Sequence, residues 1–366
     1  MKSQINLIRK PLHLDYFRDY KDRICQVLTW HHPNDRILSI VKYDLGDSFW
    51  VSRDTGIRYK RMLKSYSLEG HQDNLNHFSK IEQDYLYHSE VYDVDFLAVP
   101  ISKIKEYFYP EKRLYEILHS VPKLDSIEKK VKTLAELLNE YLNIPFANMG
   151  ITGSILWKGQ TEKSDIDFII YGNSFAQNFN ELFPQIYKLC DEIKPLNEEK
   201  RKRYEESFAK KSGIPLEIAR KYITKKTWLS IFDETNLSLI FSPLEKEIPF
   251  EYGAEKFSPI KIVEIKCQIL NSDLGYAYPA IYRIGNIESL QNEIELNSID
   301  IERLLSFEGA LTGYFKKGDE IVVRGLLEEV RDTKTNKISH QIILGTKEGV
   351  GNEYILFKED YENIKK

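Results

Sequence analysis

The sequence predicts an α+β protein: a central mixed sheet with helices, preceded by an N-terminal α/β region and followed by a β-rich, barrel-like domain. Three observations carry that prediction. Residues 124–142 repeat apolar side chains at three- and four-residue steps, the period of an amphipathic helix. Runs of strand length follow at 146–151, 165–171 and 237–241, with a helical pattern over 179–190 among them. Beyond residue 256, strand patterns divided by turn residues take over. At 366 residues the chain is too long for one ordinary domain. The expected boundaries are 1–120, 121–255 and 256–366.

Composition narrows the function. A hydrophobic share of 42% supports real cores, and a net charge of −4 argues against a global basic field for nucleic acid. Cys25, Cys190 and Cys267 lie far apart with no C-x-x-C spacing, which argues against a zinc site or disulfide framework and for a reducing cytoplasm. The first residues lack a signal-peptide h-region, and no run of about eighteen apolar residues exists, so no membrane partner is expected.

In the N-terminal region, 23–30 and 36–43 read as strands around the turn residues His31-His32-Pro33-Asn34-Asp35, a hairpin by pattern. Adjacent histidines on a strand face opposite ways, so this pair reads as turn rather than metal site. Residues 91–99 read as a further strand, and Pro100 to Tyr109 as the start of a helix with proline first. Asp93 and Asp95 lack a Gly-Ser partner and read as a solvated strand edge. Phe49, Trp50, Tyr59 and Tyr66, interleaved with Lys60, Arg61 and Lys64, read as core packing with a charged rim. A nucleic-acid stacking surface is the rival reading.

The central region opens with the helix at 124–142, whose start Asp125-Ser126 can cap. The stretch Gly150 to Gly172 then carries the chemistry. Gly153-Ser154 comes first, then about ten residues, then Asp165 and Asp167, then the apolar run Phe168-Ile169-Ile170-Tyr171. Strand side chains alternate, so Asp165 and Asp167 share a face while Ile166 and Phe168 enter a core. Adjacent carboxylates repel, and a hard divalent cation relieves that repulsion. Gly153 admits close backbone approach. Ser154, opening a short helix over 154–157, offers a hydroxyl and backbone N–H groups to a phosphate. A phosphate site followed by a metal site is the layout of a nucleotidyl transfer centre.

Gly153-Ser154, the spacer and Ser164-Asp165-Ile166-Asp167 resemble the signature of the DNA polymerase β-type nucleotidyltransferases. More narrowly, the whole chain is similar to an archaeal group of predicted nucleotidyltransferases. The superfamily motif covers roughly twenty residues. The resemblance implies that Asp165 and Asp167 hold Mg²⁺ or Mn²⁺ and that Gly153, Ser154 and Ser164 serve the nucleotide. It also implies a third carboxylate on the strand at 237–241, and here the sequence departs from the family: that strand has none. Asp233, Glu234 and Glu245 flank it as candidate substitutes, and a carboxylate from another region is the alternative. A basic stretch over 200–226 (Lys200 to Arg203, Lys210-Lys211, Arg220-Lys221, Lys225-Lys226) reads equally as a phosphate-holding surface and as a solvated helix face.

In the C-terminal region, 260–270, 278–284, 321–330 and 340–344 read as strands and 287–305 as mixed with a helix. Short strands of this kind suggest a small barrel of the oligonucleotide-binding type. Tyr276, Tyr278, Tyr282, Tyr314 and Phe315 are its candidate stacking residues. The leading expectation is a cytoplasmic, metal-dependent nucleotidyltransferase that moves a nucleoside monophosphate from an NTP to a hydroxyl of an RNA end, a protein or a small molecule. The alternative is a catalytically silent protein of the same fold that binds nucleotide or nucleic acid.

Overall fold

The computed structural model describes residues 5–66, 68–120, 123–177, 179–226, 228–290, 299–349 and 351–365. The chain divides into two compact units, one of Met1–Ser89, Val94–Pro195 and Trp228–Tyr252, the other of Glu90–Asp93, Leu196–Thr227 and Gly253–Lys366. The N-terminal region and the central sheet thus share one unit, and residues 196–227 fold with the C-terminal strands.

The first unit begins with β1 (Tyr16–Asp19), β2 (Ile24–Val27), β3 (Arg36–Val51), β4 (Arg58–Arg61), α1 (Leu68–Ile81), β5 (Leu86–Ser89), β6 (Val94–Pro100) and β7 (Ile104–Phe108). The strands form one sheet in the order β5-β6-β3-β2-β1-β7, with β4 beside β3. Strands β2 and β3 form the expected antiparallel pair. The strand expected from residue 91 starts only at Val94, because Asp93 turns with φ of 53°. The helix expected at Pro100 is displaced. Residues 104–108 instead form an antiparallel edge strand against β1, burying Ile104 and Tyr107. The helix α2 (Pro110–His119) starts at the next proline, at a first-turn position where a missing N–H costs nothing.

The sheet of the same unit that holds the sequence motif follows: α3 (Ser126–Leu142), β8 (Met149–Ile151), α4 (Gly153–Leu156), β9 (Ile166–Tyr171), α5 (Asn173–Gln177), α6 (Phe179–Leu189), β10 (Ile193–Pro195), β11 (Leu229–Phe232) and β12 (Thr235–Ser242). Asp125 caps α3 in a reciprocal box, accepting from Glu128 N–H at 2.7 Å while its own N–H reaches the Glu128 carboxylate at 3.0 Å. Ile127, Val131, Leu134 and Leu138 of that helix are buried, whereas Tyr141 is exposed. The strand order is β10-β11-β12-β9-β8. Only β9 and β12 run parallel, so the sheet is mixed. Leu156 and Trp157 bury against Tyr16, Ile24, Tyr43 and Tyr59, fastening the turn after β8 to the N-terminal sheet. Each fully buried large side chain contributes roughly 1.5–3 kcal/mol, so this fastening is strong.

The second unit contains α7 (Glu198–Ser212), α8 (Leu216–Thr224), β13 (Glu255–Leu274), β14 (Ala280–Ser289), β15 (Ile301–Ser306), β16 (Glu320–Asp332), β17 (Ile338–Leu344), β18 (Tyr354–Phe357) and α9 (Lys358–Lys365). The order β13-β14-β15-β17-β16, with β16 pairing back onto β13, closes a five-strand ring that β18 extends. Only β15 and β17 run parallel within it. The segment expected to include a helix is the end of β14 and all of β15, while 291–298 lie outside the described residues. Among the described residues no helix is long and apolar enough to cross a membrane. The three cysteines are free and buried.

Candidate functional site

Gly153 follows β8 in the turn that crosses the start of β9. Thr152 N–H donates to the Asp167 carbonyl at 2.9 Å, and the Thr152 hydroxyl to the Leu14 carbonyl at 2.5 Å. The turn is therefore tied to both sheets of the unit. Gly153 has φ of +68°, and a Cβ built on it would lie 2.6 Å from Asp167 Oδ2. Both the left-handed backbone and the contact favour glycine there, since a Cβ would force the Asp167 carboxylate to shift. The short helix α4 then places the Ser154 hydroxyl 3.2 Å from that of Ser164, to which it donates. Ser164 also accepts from Thr161 N–H at 2.9 Å, which closes the loop leading to Asp165.

The loop between them is pinned from outside. Arg53 pairs with Asp125, Gln160 Nε2 donates to the same carboxylate at 3.0 Å, and Lys158 pairs with Asp54 at 3.0 Å. Asp165 stands just before β9, exposed, and Asp167 lies within it, half-buried. In the parallel register Ser238 of β12 lies opposite Asp167 and Leu237 opposite Ile166. Asn236 Nδ2 donates to Asp165 Oδ1 at 2.7 Å, and the Ser238 hydroxyl bonds to Asp167. The side of β12 facing the acid pair thus offers an amide and a hydroxyl. Among the described residues no group of three or more His, Cys, Asp or Glu is placed to hold a metal ion. Asp233 is engaged by Lys130 at 3.1 Å, and Glu245 follows the end of β12 beside Tyr171, away from Asp165.

The N-terminal sheet supplies groups that sequence reading missed. Lys42 lies in a run of seven buried residues of β3. Its ammonium donates to the Tyr16 hydroxyl and lies over the Tyr16 and Tyr66 rings at 5.0 and 5.2 Å. Burial pulls its pKa down to about 7, with the Arg61 charge lowering it further and Asp167 opposing. Burial raises the Asp167 carboxyl, as does the Asp165 charge, against the pull of Lys42, Ser238 and Arg61. Lys42 and Asp167 are thus charge partners although 125 positions apart. A lysine inside a largely apolar strand run was the available signal.

The basic stretch at 200–226 belongs to the second unit and the acid pair to the first. Several of its members hold carboxylates instead: Lys202 pairs with Glu198 at 2.9 Å, Arg203 with Glu199 at 2.6 Å and Lys221 with Asp360 at 2.7 Å. The Lys211 side chain lies outside the described residues. Four of the five aromatic residues expected to stack bases on the barrel are core instead: Tyr282, Tyr314 and Phe315 are buried together around Tyr222, and Tyr276 is buried as well, while Tyr278 is half-buried.

Two carboxylates on one strand face suit a divalent ion of the Mg²⁺ kind, which takes one or two protein carboxylates and fills its remaining positions with water and substrate phosphates.

No protein-family profile and no solved structure matches the chain. The chain is 30% identical over 335 residues to an uncharacterized protein of Methanocaldococcus jannaschii, across 91% of this chain and 94% of that protein.

Proposed function

We propose that this chain, which belongs to the same family as the Methanocaldococcus jannaschii protein, is a metal-dependent nucleotidyltransferase with a polymerase β-like catalytic sheet. One observation carries the reading: the glycine of the Gly-Ser turn sits against Asp167 with no room for a Cβ. The Gly-Ser turn and Asp167, two residues on from Asp165, therefore meet at one point. Asp165 and Asp167 would hold Mg²⁺ or Mn²⁺, which when bound neutralises phosphate charge and orients the in-line displacement. Gly153 and Ser154 hold the triphosphate, and Ser164 fixes Ser154 and the entry to the acidic strand. The α-phosphorus passes to an acceptor hydroxyl as its bond to the bridging oxygen breaks, and pyrophosphate leaves. A cytoplasmic location and an RNA, protein or small-molecule acceptor complete the reading.

A second reading is favoured by Asn236 and Ser238, which stand where an active centre of this type carries its third carboxylate. On that reading the site binds a metal–nucleotide complex without transferring it. The test is incorporation of each of four α-labelled ribonucleotides, with Mg²⁺ or Mn²⁺, into total RNA and into the protein itself. Transfer that the Asp165→Ala/Asp167→Ala double variant loses establishes the enzyme. Transfer that survives in that variant overturns the assignment of these residues. Metal-dependent nucleotide binding without transfer establishes the silent site.

A further inference from the structure

Strands β3 and β4 carry the aromatic and basic stretch whose sequence suits both core packing and a stacking surface, and the structure divides it between the two. Tyr59 is buried against Trp157, and Trp50 is half-buried with its ring 5.5 Å from that of Tyr43. Phe49, by contrast, is 67% exposed and Tyr66 49%. Leu45 and Trp50 both lie opposite Tyr59, so residues 46–49 bulge out of β3 and Phe49 closes the bulge. Its ring leans on Trp50, with centroids 4.8 Å apart, so an anchored side chain holds it in the open. Two cations of β4 flank the bulge. Arg58 donates to the Ser48 carbonyl at 3.4 Å, and the Lys60 stem lies over Gly46, where a built Cβ would meet it at 2.8 Å. Arg61 follows, 5.8 Å from the Tyr66 ring. From Gly56 to Leu68 the chain has Arg58, Lys60, Arg61 and Lys64 and no acid, and all four cations are exposed. Asp47 pairs with Arg58 at 3.6 Å and Asp44 lies opposite Lys60, which offsets half of this charge. The surplus is local, on a chain whose net charge is −4.

Exposed rings set among exposed cations match the two parts of a single nucleic-acid strand. The cations meet its phosphates, and the rings offer a π-face to its bases. A duplex stacks its bases on one another and offers none, whereas the loops and ends of RNA leave bases unpaired. A lipid surface fits less well. Inserting Phe49 and Leu45, itself 46% exposed, would also bury Asp47, which stands between them with its side chain 95% exposed. An acidic protein segment would use the cations and leave Phe49 in water. We propose that β3 and β4 form a docking surface for single-stranded RNA, with Phe49 and Tyr66 as platforms for bases and Arg58, Lys60, Arg61 and Lys64 along the backbone. This goes beyond the nucleotidyl transfer reading and does not depend on it, since none of these residues belongs to the motif.

The experiment is fluorescence anisotropy of a labelled oligouridine of about twelve nucleotides, within the site sizes usual for single-strand binders, titrated with the full chain over a range of salt. The variants are Phe49→Ala and Lys60→Gln/Arg61→Gln. Lys202→Gln/Arg203→Gln on α7 is the control, because it removes the same charge elsewhere. All five residues are exposed, and thermal unfolding checks that each variant keeps the fold. The expected results are about tenfold weaker binding in Phe49→Ala and a salt slope, log affinity against log concentration, shallower by about 1.4 in the double cation variant. The control should bind within twofold of the wild type. No binding by the wild type overturns the inference, as does Phe49→Ala binding within twofold of it. An equal loss in the control overturns it too, by showing diffuse attraction. So does equal competition by the same strand paired with oligoadenosine, which would show attraction to the backbone without stacking. Capture by phosphatidylserine vesicles that Phe49→Ala loses, with oligouridine ignored, would give the surface to lipid instead. Nucleotide transfer tests the acid pair separately, so either idea can fail alone.

Discussion

Replacing Gly153 with alanine separates two costs that the structure places at one residue. The first is conformational: at φ of +68° a residue with a Cβ loses about 1–2 kcal/mol. The second is contact. The new Cβ would stand 2.6 Å from Asp167 Oδ2, and an ordinary contact begins near 3.4 Å, so the carboxylate must retreat by about 0.8 Å. The Asp167 backbone cannot make that move, because its carbonyl accepts from Thr152 and its strand is paired on both sides. The side chain must rotate instead, at about 0.5–1.5 kcal/mol for an off-rotamer angle. Gly56 is the control. Its φ is +69°, with nothing within 4 Å of a built Cβ, so Gly56→Ala carries the first cost alone. In urea unfolding, Gly153→Ala should lose about 1 kcal/mol more than Gly56→Ala. Mn²⁺ binding, followed by electron paramagnetic resonance, should weaken roughly 10- to 100-fold in Gly153→Ala, as is usual when a ligand's support is lost, and stay unchanged in Gly56→Ala. Equal destabilisation by both variants, with Mn²⁺ affinity within twofold of wild type, would refute the close approach on which the functional reading rests.

Two further predictions concern the frame around the site. Arg9 grips the fully buried Asp15 with two bonds of 2.6 and 2.8 Å and Glu111 with two of 2.7 and 2.9 Å; Arg9→Met strands the Asp15 charge and should cost about 3–5 kcal/mol in urea unfolding, and a loss under about 1 kcal/mol would show the network is dispensable. In the barrel, burial raises the Glu328 carboxyl to about 7 even though it accepts from Gln341 at 2.7 Å. Its native value lies above the unfolded one, so its favourable contribution is full below about 4.5 and is lost as pH rises through about 7, on the order of 3 kcal/mol at most. Glu328→Gln should flatten that part of the fall in melting temperature between pH 5 and pH 8, and an unchanged slope would assign it to other groups.

What could be read from the residues depended on how far apart along the chain the interacting groups lie. Helix α3 was legible because both its cap and its stripe are set within a few residues: Asp125 meets Glu128, and Ile127 to Leu138 repeat on one face. The geometry of Asp165 and Asp167 was legible for the same reason, since alternation along one strand fixes it. The misplacement of α2 shows the limit of local signals. Pro100 and Pro110 both suit a first helical turn, and what decided between them was the pairing of Ile104–Phe108 with a strand some ninety residues earlier, which no local rule contains. The stacking aromatics failed on the same ground, because closure of the ring from β13 to β16 turned Tyr282 and Phe315 inward.

The nonlocal part is also where the chemistry gains its constraints. In sequence Lys42 is one polar residue in a strand, and Thr152 is one residue of a turn. In the fold Thr152 bonds to Leu14 and to Asp167, and Trp157 packs 5.2 Å from the Tyr43 ring, so the N-terminal sheet and the acidic strand share a single set of fastenings. Detaching the first hundred residues would strip those fastenings from the turn and leave Trp157 exposed. Residues 121–255 therefore do not carry the whole site, although they contain every residue of the motif.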